Sequence, residues 1–363
     1  MAMREIVLRC EIPEVYSVRL GVDSGEVVTH ATLEGGFAAR GVGRLIAERY
    51  REPDAAIFVI ERICGICSHA HTTAFCEAVE RALGVSIPSR ASAVRTLVAE
   101  LERMQSHSLN LAEVAALVEA AAAEPLAWAV RNEVTECLVR LTDNRIHYGM
   151  NRIGGITRDI DQPAVGETLA RLEPLADRIG ELDASFEHEV RPVLEDHGRW
   201  VPVDAQEAWG TGPNGRAAGI PVDVRVQEPY SAYVGHLQEP VVEQGGCAWA
   251  RSKVRLRELR TSLDLVYRLL SDLPAGTIRI DELPAPKGDF MGEATVEAPR
   301  GANRHRVRLT REGLIKEYAV EVPTPRSLHG LERALVGENR SDVRRIVASF
   351  DPCMSCADTD GAQ

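Results

Sequence analysis

Apolar residues recur at two spacings along the chain, and these spacings separate a strand-rich beginning from a long helical remainder. Short β-branched runs and an Asp23-Ser24-Gly25 turn predict a β-rich part over residues 1–60, with a hairpin at the turn. Spacings of three to four then predict helices, which cover 72–84, the region from 89 to about 124, 126–150, a stretch beginning at 167, 249–273 and 327–350. Alternation within 294–322 predicts hairpins, whereas Gly and Pro predict loop with short strands over 197–233.

No low-complexity linker and no repeat of fixed period divides the sequence. The pattern therefore predicts a helix-dominated α+β fold in one domain over residues 1–363. In that domain a β-rich part (1–60) precedes a helical part (61–363).

The charge balance argues against a nucleic acid as a partner. Acidic residues outnumber basic ones, 54 to 42, so the net charge is −12, and no cationic excess is present to neutralise the phosphates of a nucleic acid. The most apolar stretch, 109–130, is interrupted by Glu113, Glu119 and Glu124, so it falls short of the roughly 20 apolar residues of a membrane-spanning helix. With charged residues where a secretory signal has an apolar run, the sequence predicts a cytoplasmic protein.

Eight cysteines carry most of the candidate chemistry. Four of them form two Cys-x-x-Cys pairs, Cys64 with Cys67 and Cys353 with Cys356. A cytoplasmic location disfavours a disulfide scaffold, so the pairs are candidate metal ligands or a redox dithiol. The other four are single and are predicted to be buried small residues; they are Cys10, Cys76, Cys137 and Cys247.

The residues around each pair favour metal binding. Gly65 permits a tight backbone between the first two thiols. In the second motif, Asp351 is a candidate N-cap and Pro352 a candidate first helical residue, which would place Cys353 and Cys356 on one face of a helix. Four soft sulfurs select Zn, Cu(I), Ni or iron rather than Mg or Ca.

A structural zinc site is the alternative that spacing alone leaves open. Zinc ribbons separate their pairs by roughly 15–20 residues, whereas 286 positions separate Cys67 from Cys353. A redox dithiol is less favoured, because neither pair lies in a recognisable βαβ unit.

The motifs RICGIC and DPCxxC, with His71 four positions after the second cysteine, resemble those of the large subunit of [NiFe]-hydrogenases. The resemblance is to the energy-converting group 4 branch, which is related to the quinone-site subunit of complex I. It implies a central helical bundle with peripheral hairpins. Further similar segments follow in the family's order, namely LERMQSH, NRIGGITRDI, GPNGRAAGIPVDVRVQEPY, WARSKVRLRE and EAPRG.

The resemblance implies a ligand set. Cys64, Cys67, Cys353 and Cys356 would all bind Ni, and Cys67 and Cys356 would also bridge to an Fe that carries CO and cyanide. Cys353, terminal on Ni, would be the catalytic base.

Two further catalytic residues are implied by the same resemblance. His71 would hydrogen-bond a bridging sulfur; the alternative is a histidine satisfied within a helix start. Arg300 would lie over the open metal position, whereas the Pro-Arg-Gly sequence alone suggests a turn with a solvated arginine. Arg62 would support the cluster or face a partner, and His107 and the segment 223–225 would hold polar networks.

The sequence departs from the family at three places. The family's His-Arg-Gly-x-Glu segment reads Ala39 to Gly43 here, so its carboxylate is absent. CEIPEVY replaces the usual Gly-Pro-x-His-Pro, and Thr359 replaces the His or Arg at which a maturation protease cuts. These departures bear on proton transfer and partner contact more than on metal binding.

The predicted function is the catalytic large subunit of a [NiFe]-hydrogenase, with 2 H⁺ + 2 e⁻ ⇌ H₂ as the reaction. With no further cysteines in iron–sulfur spacing, the chain requires an iron–sulfur small subunit carrying a [4Fe–4S] cluster. Membrane-arm subunits would hold it on the inner face of the cell membrane. The alternatives are a soluble cofactor-reducing hydrogenase subunit and a non-catalytic complex I-like electron or proton-coupling subunit.

Overall fold

The computed structural model describes residues 4–10, 16–35, 40–237, 239–285 and 290–357. The strands are β1 (Arg4–Cys10), β2 (Tyr16–Val22), β3 (Val28–Glu34), β4 (Asn151–Arg152), β5 (Gly155–Ile156), β6 (Met291–Ala298), β7 (Gly301–Leu309) and β8 (Ile315–Glu321). They form three antiparallel sheets, ordered β1-β2-β3, β4-β5 and β6-β7-β8.

Helices make up most of the remaining regular structure. The first seven are α1 (Val42–Glu48), α2 (Pro53–Ile60), α3 (Ser68–Leu83), α4 (Ser89–Leu117), α5 (Ala123–Thr142), α6 (Gln162–Ser185) and, after a π-helical turn at Phe186–Val190, α7 (Arg191–Leu194). The others are α8 (Ala205–Ala208), α9 (Pro213–Arg216), α10 (Val224–Gln227), α11 (Ala248–Ser271), α12 (Pro323–Leu335), α13 (Val343–Phe350) and α14 (Met354–Ala357), with 3₁₀ turns at Ser231–Tyr233 and Arg340–Asp342.

The β-rich part is shorter than predicted. The hairpin at Asp23 is present, and its carboxylate accepts hydrogen bonds from the amides of Gly25 and Val27. However, α1 and α2 occupy residues 42–60, so the prediction of a β-rich part up to residue 60 is wrong for that stretch. Proline at the start of α2 and a face buried against α3 outweigh the strand preference of its β-branched residues.

The long helices lie where the apolar periodicity predicted them, whereas the middle of the chain differs from the prediction. α3 ends at Gly84, whose φ of 68° suits a glycine C-cap. Short helices α8, α9 and α10 replace the short strands predicted for 197–233. Asp204 and Asp223 cap two of them with their side chains, a local bond that strand propensity does not register.

The helices and sheets share two apolar clusters. The larger one joins α4, α5, α6 and α11 to α3 and the β6-β7-β8 sheet. In the smaller one, β1–β3 pack on α12 and α13. Within the described part of the chain, every helix lacks the combination of length and apolar content needed to cross a membrane.

Candidate metal centre

The two cysteine motifs meet in one buried pocket. Cys64 and Cys67 lie in the turn between α2 and α3, and Cys353 and Cys356 lie on the segment after α13. The Cys64 and Cys353 sulfurs are 3.5 Å apart, those of Cys67 and Cys356 are 3.3 Å apart, and those of Cys353 and Cys356 are 3.2 Å apart. All four side chains are at most 4% exposed. Long-range folding thus closes the 286-position gap between the motifs.

The second motif begins differently from the prediction. Asp351 was expected to cap a helix, but it ends α13 in the left-handed region, at φ 55°. Its carboxylate accepts from Arg300 instead, and α14 begins only at Met354. The Cys353 amide donates to the Thr324 hydroxyl at 3.0 Å. The prediction was wrong because a tertiary ion pair competes for the capping oxygen.

The Arg40 side chain contacts both cysteine motifs from outside the pocket. Its guanidinium donates to the carbonyls of Arg62 (2.7 Å) and Ile63 in the first motif and of Ser355 (2.9 Å) in the second. One side chain therefore ties both motifs together through their backbones. Sequence reasoning missed this role, because it considered the segment 39–43 only for its missing carboxylate.

Arg300 lies at the turn between β6 and β7 and is 6% exposed, so it is not a solvated turn residue. It donates to the Asp351 carbonyl (3.0 Å), the Asp351 carboxylate (2.6 Å) and the Ser106 hydroxyl (3.1 Å). Burial alone would lower its pKa, but Asp351 and the nearby cysteines raise the pKa well above the ordinary value. A fixed, permanently cationic group thus lies beside the sulfurs.

His71 contacts the pocket from α3. Its Nε2 lies 3.5 Å from the Cys356 sulfur, and its Nδ1 lies 3.1 Å from Nε2 of His305. Burial lowers the pKa of His71 to about 4, so the ring is neutral. Sequence reasoning missed His305, although the alternation of β7 places it on the buried face with Asn303 and Val307.

The donor set fits a soft metal centre. The closest sulfurs are 3.2 Å apart, beyond the roughly 2.05 Å of a disulfide, and the cysteines are free. Hydrogen bonds from Cys353 and Cys356 lower the pKa of Cys64 well below its usual range, so one thiolate is already favoured. In the described residues, Cys64, Cys67 and Cys356 are the one group of three or more His, Cys, Asp or Glu that could hold an ion.

The other residues predicted from the sequence differ in exposure and position. Arg62 is exposed, stacks 3.5 Å over the Phe58 ring and pairs with Glu61. Cys76, Cys137 and Cys247 are buried, and none of them belongs to the group of side chains that could hold an ion. The side chain of Cys10, most of CEIPEVY, Ala39 and Thr359 lie outside the described residues.

A buried ion network extends from the predicted polar positions. The His107 ring lies 2.8 Å from the Glu258 carboxylate, which also accepts from Arg216 at 2.7 Å. Arg225 pairs with Asp223 at 2.7 Å. Side chains predicted to hold polar networks therefore do so, at almost zero exposure.

Glu102 and His147 form a buried acid–imidazole contact that the sequence did not reveal. Glu102 accepts from the amides of His69 (2.7 Å) and Ala70 (3.0 Å), and its Oε1 lies 3.2 Å from the His147 Nδ1. Burial raises the pKa of Glu102 to about 8 in spite of these amides. The sequence of α4 shows no periodic pattern of polar residues, so it gives no sign that the pKa of Glu102 is shifted.

Two family models match the chain. The model described as nickel-dependent hydrogenase matches residues 40–127 and 251–358, which contain both cysteine motifs. The model of the 49 kDa subunit of respiratory-chain NADH dehydrogenase matches residues 120–289.

Individual relatives extend over nearly the whole length. The membrane-bound hydrogenase subunit alpha of Pyrococcus furiosus is 32% identical over 96% of this chain and 84% of its own. The carbon monoxide-induced hydrogenase of Rhodospirillum rubrum is 30% identical over 97% of both chains. A chain from the structure of the membrane-bound sulfane sulfur reductase, an archaeal respiratory membrane complex, superposes with a TM-score of 0.90 at 28% identity, covering 98% of both chains.

The fold is that of the archaeal respiratory complex subunit, and both cysteine motifs lie in the stretches that the nickel-dependent hydrogenase model matches. The chain belongs to the nickel-dependent hydrogenase family, in its energy-converting group 4 branch. The predicted family and the helix-dominated α+β fold class are thereby confirmed.

Proposed function

We propose that this chain is the catalytic large subunit of an energy-converting [NiFe]-hydrogenase, which catalyses 2 H⁺ + 2 e⁻ ⇌ H₂. The observation that carries the proposal is the convergence of all four cysteine sulfurs in one buried pocket, with neighbouring pairs 3.2–3.5 Å apart. A subunit that only coupled electrons or protons would have no need for four converging thiols.

Cys64, Cys67, Cys353 and Cys356 would hold Ni and Fe. When bound, the centre supplies the redox and Lewis-acid chemistry for heterolysis of H₂. The Fe would carry CO and cyanide.

The residues of the chain supply the remaining parts of the reaction. Cys353 would accept the proton released by H₂, since it lies two residues after Asp351, the partner of Arg300, and Thr324 holds its amide. Arg300 would stabilise the charge that develops there, because its three hydrogen bonds fix it without reorganisation. His71 would donate a hydrogen bond to the sulfur of Cys356.

The surface above the first motif fits an electron-donating partner. Phe58 is 54% exposed, Arg62 stacks on it, and Ile66 between the cysteines is half-buried. Exposed aromatic and arginine side chains are typical of protein interfaces. An iron–sulfur small subunit with a [4Fe–4S] cluster would dock here, and membrane-arm subunits would hold the assembly on the cytoplasmic face of the membrane.

A non-catalytic complex I-like role is the second candidate. Gly43 stands where the family has a carboxylate, and the NADH dehydrogenase model matches the middle of the chain. The structural relative named for sulfane sulfur reduction also indicates that the fold serves more than one electron-transfer reaction.

Metal analysis, infrared spectroscopy and H₂-dependent dye reduction of the purified complex separate the candidates. The proposal expects about one Ni and one Fe per chain, infrared bands of CO and cyanide, and H₂ turnover. Zinc without nickel would contradict it, and bands without turnover would favour the non-catalytic role.

A further inference from the structure

A row of three hydrogen-bonded side chains runs from the metal pocket towards the surface. The His71 Nε2 lies 3.5 Å from the Cys356 sulfur, and its Nδ1 lies 3.1 Å from Nε2 of His305. The other ring nitrogen of His305 lies 3.1 Å from the hydroxyl of Tyr318. His71 and His305 are fully buried, whereas Tyr318 is half-buried.

The row is fixed by packing and by strand register. Tyr318 pairs with Val307 and His305 pairs with Val320, so the two polar side chains are diagonal neighbours on one face of β7 and β8. Phe75, one helical turn after His71, packs edge-on against both His305 (centroids 6.4 Å apart) and Tyr318 (6.1 Å). None of the three polar groups can turn away without losing aromatic contact.

The chemistry at Cys356 sets the direction of these bonds. A metal-bound thiolate carries no hydrogen, so its sulfur can only accept, and His71 must donate from Nε2. Both rings are fully buried and meet at a nitrogen–nitrogen contact of 3.1 Å, where a charged imidazolium would be costly, so both rings are neutral. Each ring therefore has a single N–H. His71 must then accept at Nδ1 from His305, which leaves Nδ1 of His305 to accept from the Tyr318 hydroxyl.

We propose that Tyr318 and His305 are positioning residues that fix the tautomer of His71 and thereby sustain its hydrogen bond to the sulfur of Cys356. The proposal rests on the proposed function for the identity of the metals, and neither ring changes its protonation state. A hydrogen bond withdraws electron density from a ligating sulfur, and such partners tune metal reactivity and potential. A tyrosine at the half-exposed end of the row would thus act on the centre through two histidines.

The first experiment compares the purified complex carrying Tyr318→Phe with one carrying Tyr267→Phe, a control that removes a hydroxyl from the exposed face of α11. We expect both variants to contain as much nickel and iron as the unsubstituted complex. In Tyr318→Phe alone, the infrared bands should move to lower wavenumber and H₂ turnover should fall by roughly 10-fold. Metal retention with unmoved bands would overturn the proposal.

Two further variants separate positioning from packing. His305→Gln keeps an N–H donor and a carbonyl acceptor, so it should restore most of the band position. His305→Leu keeps only bulk and should shift the bands like Tyr318→Phe. Equal bands in these two variants would show that the row acts through packing alone and would overturn the proposal.

A second measurement is independent of hydrogenase activity. Nitrogen NMR of histidine-labelled chain loaded with Zn²⁺ reads the tautomer of His71 directly. We expect the proton on Nε2 in the unsubstituted chain and a mixture of tautomers in Tyr318→Phe; a proton on Nδ1, or no change, would overturn the inference. If the purified complex lacks nickel and CO bands, the proposed function fails, while this measurement still decides the role of Tyr318.

Discussion

The Nη2 atom of Arg300 lies 2.6 Å from the Oδ1 of Asp351, and this ion pair joins the β6–β7 turn to the second cysteine motif. Asp351 is only two residues from Cys353, so the arginine is held relative to the sulfurs by the same segment that supplies them. The turn is also tightly packed: a Cβ on Gly212 would lie 2.7 Å from the Arg300 carbonyl oxygen. The position of the guanidinium is therefore fixed from both sides.

Arg300→Lys should retain nickel and iron but slow H₂ turnover by roughly 10²-fold. Lysine keeps the charge, but its single ammonium cannot reproduce the guanidinium's fixed contacts with Asp351 and Ser106. H₂-dependent dye reduction per bound nickel measures the effect. The exposed Arg306→Lys is the matched control and should turn over at the unsubstituted rate; the same rate in Arg300→Lys would remove the arginine from the catalytic group.

Cys353→Ser should abolish nickel binding and H₂ turnover, because a hydroxyl replaces one of the four soft ligands. Cys137→Ala is the control, since Cys137 is buried in α5 outside the pocket. It should keep its metals at a modest cost in stability, of about 1 kcal/mol. Metal analysis and dye reduction give the answer, and H₂ turnover in Cys353→Ser would refute the assignment of this ligand.

Glu258→Gln should lower the free energy of unfolding by roughly 3 kcal/mol, because it removes one of the three buried carboxylates that pair with the buried Arg216. Urea unfolding of the reduced chain measures this loss. Glu243→Gln breaks an ion pair with the more exposed Arg257 and should cost less than about 1 kcal/mol. Equal losses in the two variants would mean that the buried network contributes no more than a surface pair.

Glu102→Gln should flatten the pH dependence of stability. Burial raises the pKa of Glu102 to about 8, so between roughly pH 4.5 and pH 8 the folded chain binds a proton that the unfolded chain has lost. Its contribution to stability therefore falls as the pH rises through that window, by at most about 1.4 kcal/mol per unit. Glutamine cannot titrate and removes this slope, whereas the exposed Glu173→Gln should leave it.

Urea unfolding of the three chains at several pH values within that window measures the slope. Glu113, whose pKa burial also raises to about 8, contributes a slope of the same sign in every chain. The difference between variants is therefore the quantity to compare. An identical slope in Glu102→Gln would show that Glu102 is ionised throughout the range.

The sequence predicted what depends on local pattern. Helical periodicity located the long helices, and cysteine spacing with its flanking residues located both halves of the cysteine pocket. The sequence did not predict the roles of Asp351, Arg40 and His305, because each role depends on a contact partner that is distant in sequence. A capping preference or a strand alternation does not indicate which arginine, carbonyl or ring will contact the residue in the folded chain.

The meeting of the two motifs also orders events during folding. Contacts between segments 286 positions apart form only after a long loop has closed, which makes such contacts slow. Arg40 can complete its bonds to Arg62 and Ser355 only after both segments have arrived. Until then Cys64 and Cys67 face solvent, where exposed thiolates are open to oxidation. Slow-folding variants should therefore lose metal sites through thiol damage before they lose their helices.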